Sequence, residues 1–177
     1  MNRSLIRTGI LLFAILILEM SCNVPRIMWP KEDVQVSEVN SPELKTRLLI
    51  ASRTSPFKEM VVKRLKEYYA DKDVYVKVIG VDQLRKENMR DYTCVLIMSS
   101  CIAWGVEPQV QTCIEGNPYY YGFVVFATSG KGTWKPGLRH EELDTISGAS
   151  IMASVDEKSQ ELATRIDRRM KEQARFR

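Results

Sequence analysis

The residues able to do chemistry in this chain gather in short hydroxyl-bearing stretches that follow apolar runs. Ser52-Arg53-Thr54-Ser55-Pro56-Phe57-Lys58 comes directly after Leu48-Leu49-Ile50-Ala51. Hydroxyls and free N–H groups at the start of a helix make an anion site, and proline suits the first helical position. Ser55 has equally the chemistry of a helix N-cap. Two further stretches, Ser99-Ser100-Cys101-Ile102-Ala103-Trp104-Gly105 and Thr128-Ser129-Gly130-Lys131-Gly132-Thr133-Trp134, each end near a tryptophan. Indoles in such places either flank a flat ligand or pack on a sheet end or a helix. A fourth stretch, Asp144-Thr145-Ile146-Ser147-Gly148-Ala149-Ser150, reads as a roomy loop with a free hydroxyl or as a strand lying close to a neighbouring backbone.

Other chemistries find no support. The single histidine, His140, lies in a polar stretch, so a His-based zinc site or a Cys-His hydrolase lacks its ligands or its base. No Ser-His-Asp set and no pair of acid–base carboxylates stands out. Beyond Cys22 the chain has Cys94, Cys101 and Cys113, an odd count without repeated spacing, which is no disulfide framework. Cys94 reads as a small buried hydrophobe, and one bridge between Cys101 and Cys113 stays open. The net charge of +4 is small. Arg165, Arg168, Arg169, Lys171, Arg175 and Arg177 suit the last turns of a helix and not a nucleic-acid surface, which needs basic residues from several elements.

The elements that position these stretches alternate. A strand at residues 48–51 precedes a helix opened by Pro56, with Phe57, Met60, Val61, Leu65 and Tyr68 on one face. Residues 74–79 form a second strand, whose Lys77 suggests an edge. Cys94-Val95-Leu96-Ile97-Met98 and Phe123-Val124-Val125-Phe126-Ala127 are uninterrupted apolar runs, as in strands of a parallel sheet covered on both faces. A helix around residues 107–115 joins them. Residues 145–152 are a short fifth strand. Ser154-Val155-Asp156-Glu157 has the form of a capping box before the Leu162, Ile166, Met170 stripe of a last helix. The expected architecture is α/β, a doubly wound and mainly parallel five-stranded sheet of order 2-1-3-4-5 between two helical layers.

That order, with its three loops beyond the carboxyl ends of strands, resembles the flavodoxin-like fold over residues 46 to about 171. Ser52 and Thr54 match the first and third positions of the flavodoxin phosphate loop, Ser/Thr-x-Thr-Gly-x-Thr. Ser55 stands where glycine is expected and Phe57 where the last threonine would be. The resemblance implies FMN as cofactor, with Ser52, Thr54 and Ser55 at its phosphate, Trp104 and Trp134 beside its ring, and Ser129 with Gly130 offering backbone contacts. Residues 144–150 are similar to the Asp-x-x-Ser/Thr-Gly-Ala-Thr sequence of bacterial domains that carry FMN covalently, which would make Ser150 the acceptor.

The first 22 residues resemble a secretory signal. Arg3 and Arg7 precede a charge-free run from Thr8 to Leu18, shorter than the ~20 apolar residues of a membrane span. Cys22 resembles the acylated cysteine of bacterial lipoproteins, with Glu19 in the place where leucine is usual. An uncleaved anchor would have the same orientation. The expected organisation is therefore a signal at 1–22 with lipidation at Cys22, a Pro-interrupted linker at 23–45, and a domain at 46–177 held outside the cytoplasm at a membrane. Its function is FMN-dependent electron transfer or, in the alternative, cofactor-free interaction at a surface, with a redox or surface partner and no nucleic acid.

Overall fold

Burial on both faces governs the centre of this molecule. In the computed structural model, which describes residues 32–101, 105–134, 136–138 and 143–175, the unbroken apolar runs become the middle strands of one six-stranded sheet. The elements are β1 (Ser37–Val39), β2 (Arg47–Ser52), α1 (Pro56–Tyr69), β3 (Tyr75–Gly80), β4 (Cys94–Ser100), α2 (Pro108–Glu115), β5 (Phe123–Thr128), β6 (Asp144–Gly148) and α3 (Val155–Ala174). Short 3-10 helices cover Val81–Lys86, Met89–Asp91 and Met152–Ser154. The described residues belong to one compact unit, Lys31–Arg177. Residues 1–31, with the expected signal and Cys22, lie outside the described residues, as do Trp104 and His140.

The sheet order is β1-β3-β2-β4-β5-β6. β2 through β6 are mutually parallel and β1 is antiparallel to β3. The five-stranded expectation is thus corrected to six, by an added edge strand. Among the parallel strands alone the first lies between the second and third, so winding reverses beside β2, as in flavodoxin-like sheets. Side chains of β2, β4 and β5 alternate between two cores, as the pleat requires. One lies under α1 and α3, with Leu48, Ile50, Leu96, Phe126, Leu65 and Ile166. The other lies under α2 and the 3-10 turns, with Leu49, Val95, Ile97, Val125, Val110 and Ile114.

Several local expectations change. Residues 32–45 are not a spacer. β1 adds to the sheet, and Asn40, at φ 66°, donates its side-chain amide to the carbonyls of Tyr69, Lys72 and Val74. Asparagine tolerates that left-handed backbone better than most residues. β1 also removes β3 from the edge, where Lys77 now faces Glu38 in the ladder and pairs with Glu87 at 2.8 Å. On α1 Phe57 is buried as expected, but at its end the buried aromatic is Tyr69, and Tyr68 is exposed. The capping box does not form, because Ser154 Oγ donates to the Ile151 carbonyl and caps nothing. The fifth parallel strand begins at Asp144 and ends at Gly148. Among the described residues no disulfide joins Cys94, Cys101 or Cys113, so the bridge left open between the last two is not made.

Candidate functional site at the carboxyl ends of the parallel strands

Parallel pairing brings the loops after β2, β4, β5 and β6 to one end of the sheet, the end where doubly wound folds bind ligands. The loop after β2 does begin a helix in the expected way. Pro56 occupies the first turn of α1, and Ser55 Oγ accepts from the Lys58 backbone N–H at 3.2 Å. Ser55 is therefore an N-cap. Ser52 is wholly buried, with its hydroxyl donating to the Arg53 carbonyl at 2.9 Å. The Thr54 N–H donates to the Glu32 carbonyl at 2.8 Å, and Thr54 lines a groove of about 660 Å³ between α1 and residues 32–37. The three residues expected at a phosphate are brought together, yet the hydroxyls of Ser52 and Ser55 and the N–H of Thr54 have partners within the fold.

The neighbouring Arg53 organises the rest of this loop. Arg53 is 4% exposed, and its guanidinium holds three carboxylates: Asp33 at 2.6 Å, Glu107 at 2.7 Å and Asp82 at 2.9 Å. Burial alone would lower its pKa, but the bonds from Asp82 and Glu107 carry it above the ordinary arginine value. Arg53 in turn holds the Asp82 carboxyl below its usual range. Among the described residues no group of His, Cys, Asp and Glu is arranged to hold a metal ion. Where three carboxylates converge, a guanidinium supplies the positive charge.

Lys58 is the unexpected member of the site. Its chain is 2% exposed, and Nζ donates to Ser100 Oγ, at the end of β4, over 2.7 Å. Thr128 Oγ1, at the end of β5, lies 3.4 Å from the same oxygen and donates to the Ser99 carbonyl at 3.3 Å. An ammonium has three donors, and among the described residues Ser100 is the one hydrogen-bond partner of this one. Burial pushes the Lys58 pKa down to about 8, with Glu107 opposing and Arg53 reinforcing that shift. Glu107 does not neutralise Lys58 by contact, because its carboxylate is held by Arg53 Nε. A buried cation without a contacting carboxylate is costly.

The loops after β5 and β6 pack on each other. The Ser129 N–H donates to the Gly148 carbonyl at 3.0 Å, and Ser129 Oγ accepts from the Gly132 N–H at 3.0 Å. Gly132 adopts φ +69°, and a β-carbon there would meet the Ala149 nitrogen at 2.5 Å. Gly130 faces open space. Trp134 is half-buried and packs against the core beneath α2. Ser150 is exposed two residues beyond β6. Asp144, six positions earlier, is buried under the guanidinium groups of Arg165 and Arg168. Parallel geometry places Asp144 at the opposite end of β6 from Gly148, so the carboxylate and the hydroxyl of that sequence do not share a site.

Sequence reasoning singled out the loops at this end of the sheet but did not pick Arg53, Lys58, Ser100, Thr128 and Glu107 as their polar centre. Lys58 sat among the lysines and glutamates of a helix surface, and the pattern carried no sign that one would turn inward. The nearest signal was its place in the first turn, directly after a Pro-opened loop that follows a buried strand.

No family model matches this sequence, and no curated protein matches it. Among solved structures, the chain is similar to a flavo di-iron protein from Thermotoga maritima, with a TM-score of 0.45 and 15% identity. The match covers 71% of this chain and 37% of that one, so the chain spans well under half of the neighbour's length. The fold described above rests on the strand order and on the two cores themselves. This is an α/β domain with a six-stranded, mostly parallel sheet and flanking helices of flavodoxin-like winding.

Proposed function

We propose that this domain binds a phosphate-bearing ligand at the carboxyl ends of β2, β4 and β5, that FMN is the first candidate, and that it serves electron transfer. The observation that carries the reading is the Lys58 ammonium, buried at the loop end of the sheet with a hydroxyl and, among the described residues, no carboxylate in contact. Lys58 would supply the charge for the anion, with the Ser100 hydroxyl beside it. Bound FMN supplies one- and two-electron chemistry, and the protein's part is to hold and orient it. Fluorescence titration of FMN into the full chain in detergent tests this. Quenching is expected for the wild type and is lost in Lys58→Met. Colour that survives denaturation and disappears in Ser150→Ala would add covalent attachment.

A cofactor-free interaction module is favoured by a separate observation. Ser52 and Ser55 Oγ, and the Thr54 N–H, are each engaged by neighbouring groups, so the β2–α1 loop is satisfied without a ligand. FMN that leaves fluorescence unquenched selects this reading. Anchoring at a membrane outside the cytoplasm belongs to the proposal on the strength of residues 1–22. Among the described residues no helix is long and apolar enough to cross a membrane. Metabolic labelling with palmitate, lost in Cys22→Ala, tests the lipid anchor.

A further inference from the structure

We propose that Ser100 is a nucleophile and Lys58 its general base, giving the same end of the sheet acyl-transfer chemistry on small carboxylic esters. The pair is built by tertiary contact. Lys58 leaves the first turn of α1 inside the fold, and Nζ reaches Ser100 Oγ at 2.7 Å, the distance a proton transfer needs. Nothing among the described residues competes for that nitrogen by hydrogen bonding, since the nearby Glu107 carboxylate is held by Arg53. Ser100 itself is half-buried, while its base is 2% exposed. Thr128 Oγ1 at 3.4 Å braces the serine side chain.

Burial and the adjacent Arg53 favour the free amine, and Glu107 opposes them; among the described residues no other charged group shifts Lys58. The free amine takes the Ser100 hydroxyl proton as Oγ bonds to the ester carbonyl carbon, and the carbonyl π pair moves to oxygen. That pair returns as the C–O bond to the alcohol breaks, and the departing alkoxide takes the proton from the Lys58 ammonium. Water then attacks the acyl-serine, with Lys58 again receiving and returning the proton, and releases the carboxylic acid. This inference shares Lys58 with the anion reading but uses its other protonation state: the cation holds an anion, the amine accepts a proton.

The test is labelling of the full chain in detergent with a fluorophosphonate probe, which bonds phosphorus to an activated serine oxygen and releases fluoride. A single adduct is expected at Ser100, forming roughly tenfold faster per pH unit at acidic pH and levelling off near pH 8. Ser100→Ala should give no adduct while its thermal unfolding shows a folded chain, and FMN quenching by the wild type is read in a separate titration, so failure of one reading does not imply failure of the other. Lys58→Met and Lys58→Arg should both label at least tenfold more slowly while their thermal unfolding shows a folded chain. Lys58→Arg keeps the charge without a usable base, and so separates base from cation. No adduct at Ser100, a rate independent of pH, or labelling of Lys58→Arg at the wild-type rate would each overturn the inference.

Discussion

Asp33 and Arg53 lie 20 positions apart and meet across 2.6 Å, so the segment before β1 is clasped to the loop after β2. The same Asp33 carboxylate accepts from the Val81 N–H at 2.9 Å and the Asp82 N–H at 3.3 Å, where the 3-10 turn after β3 begins. One side chain thereby joins three segments at the carboxyl ends of the strands. It fits because residue 80 is glycine: a β-carbon there would lie 2.1 Å from the Asp33 carboxyl carbon.

Removing either half of this arrangement should cost similar stability. Asp33→Ala leaves Arg53 with two carboxylates and uncaps two backbone donors, for a loss of about 2 kcal/mol. Gly80→Ala should displace the carboxylate and lose a comparable amount. The double variant should lose little more than either single one, since both act on one contact. Urea unfolding monitored by circular dichroism measures all three.

Lys58 makes stability depend on pH in an unusual direction. Its pKa falls from 10.5 unfolded to about 8 folded, so between these values the unfolded chain binds more protons and stability rises with pH. Below pH 8 the folded protein carries the full penalty of a buried charge, on the order of 3 kcal/mol from the size of the shift. Lys58→Met should therefore be more stable than wild type at pH 6, with an advantage that shrinks from pH 8 to pH 10. Equal differences at pH 6 and pH 10 in paired denaturation curves would show that Lys58 is not strained in this way.

Gly132 is held at positive φ against the backbone of residue 149. Gly132→Ala should both strain the turn and push the β5–α3 side apart, for about 1–3 kcal/mol. Gly130→Ala, whose β-carbon meets nothing within 4 Å, should unfold at nearly the wild-type temperature. The contrast between two glycines two residues apart is the readout, by differential scanning calorimetry.

Asp144 anchors α3 through Arg165 and Arg168, with its own side chain 4% exposed. Asp144→Asn should lose about 2 kcal/mol, less than a fully buried pair because both arginines reach solvent. The loss should appear as weaker amide protection along α3 in hydrogen exchange. Protection unchanged from wild type would mean that the helix docks by its apolar stripe alone.

The sequence already contained what burial on two faces demands. β4 and β5 have to be apolar at every position because both faces are covered, and that property shows in adjacent residues. Pro56 marks its helix start for the same local reason. β1 escaped notice because an edge strand of three residues, Ser37-Glu38-Val39, needs pairing on one side only and carries no apolar run. The Arg53 cluster and the Lys58–Ser100 contact were invisible because they join residues up to 54 positions apart, and side chains of surface type appear inside only when another segment covers them. Local pattern settles which apolar segments are strand and which are helix. Which polar groups face one another depends on chain crossings that pattern does not encode.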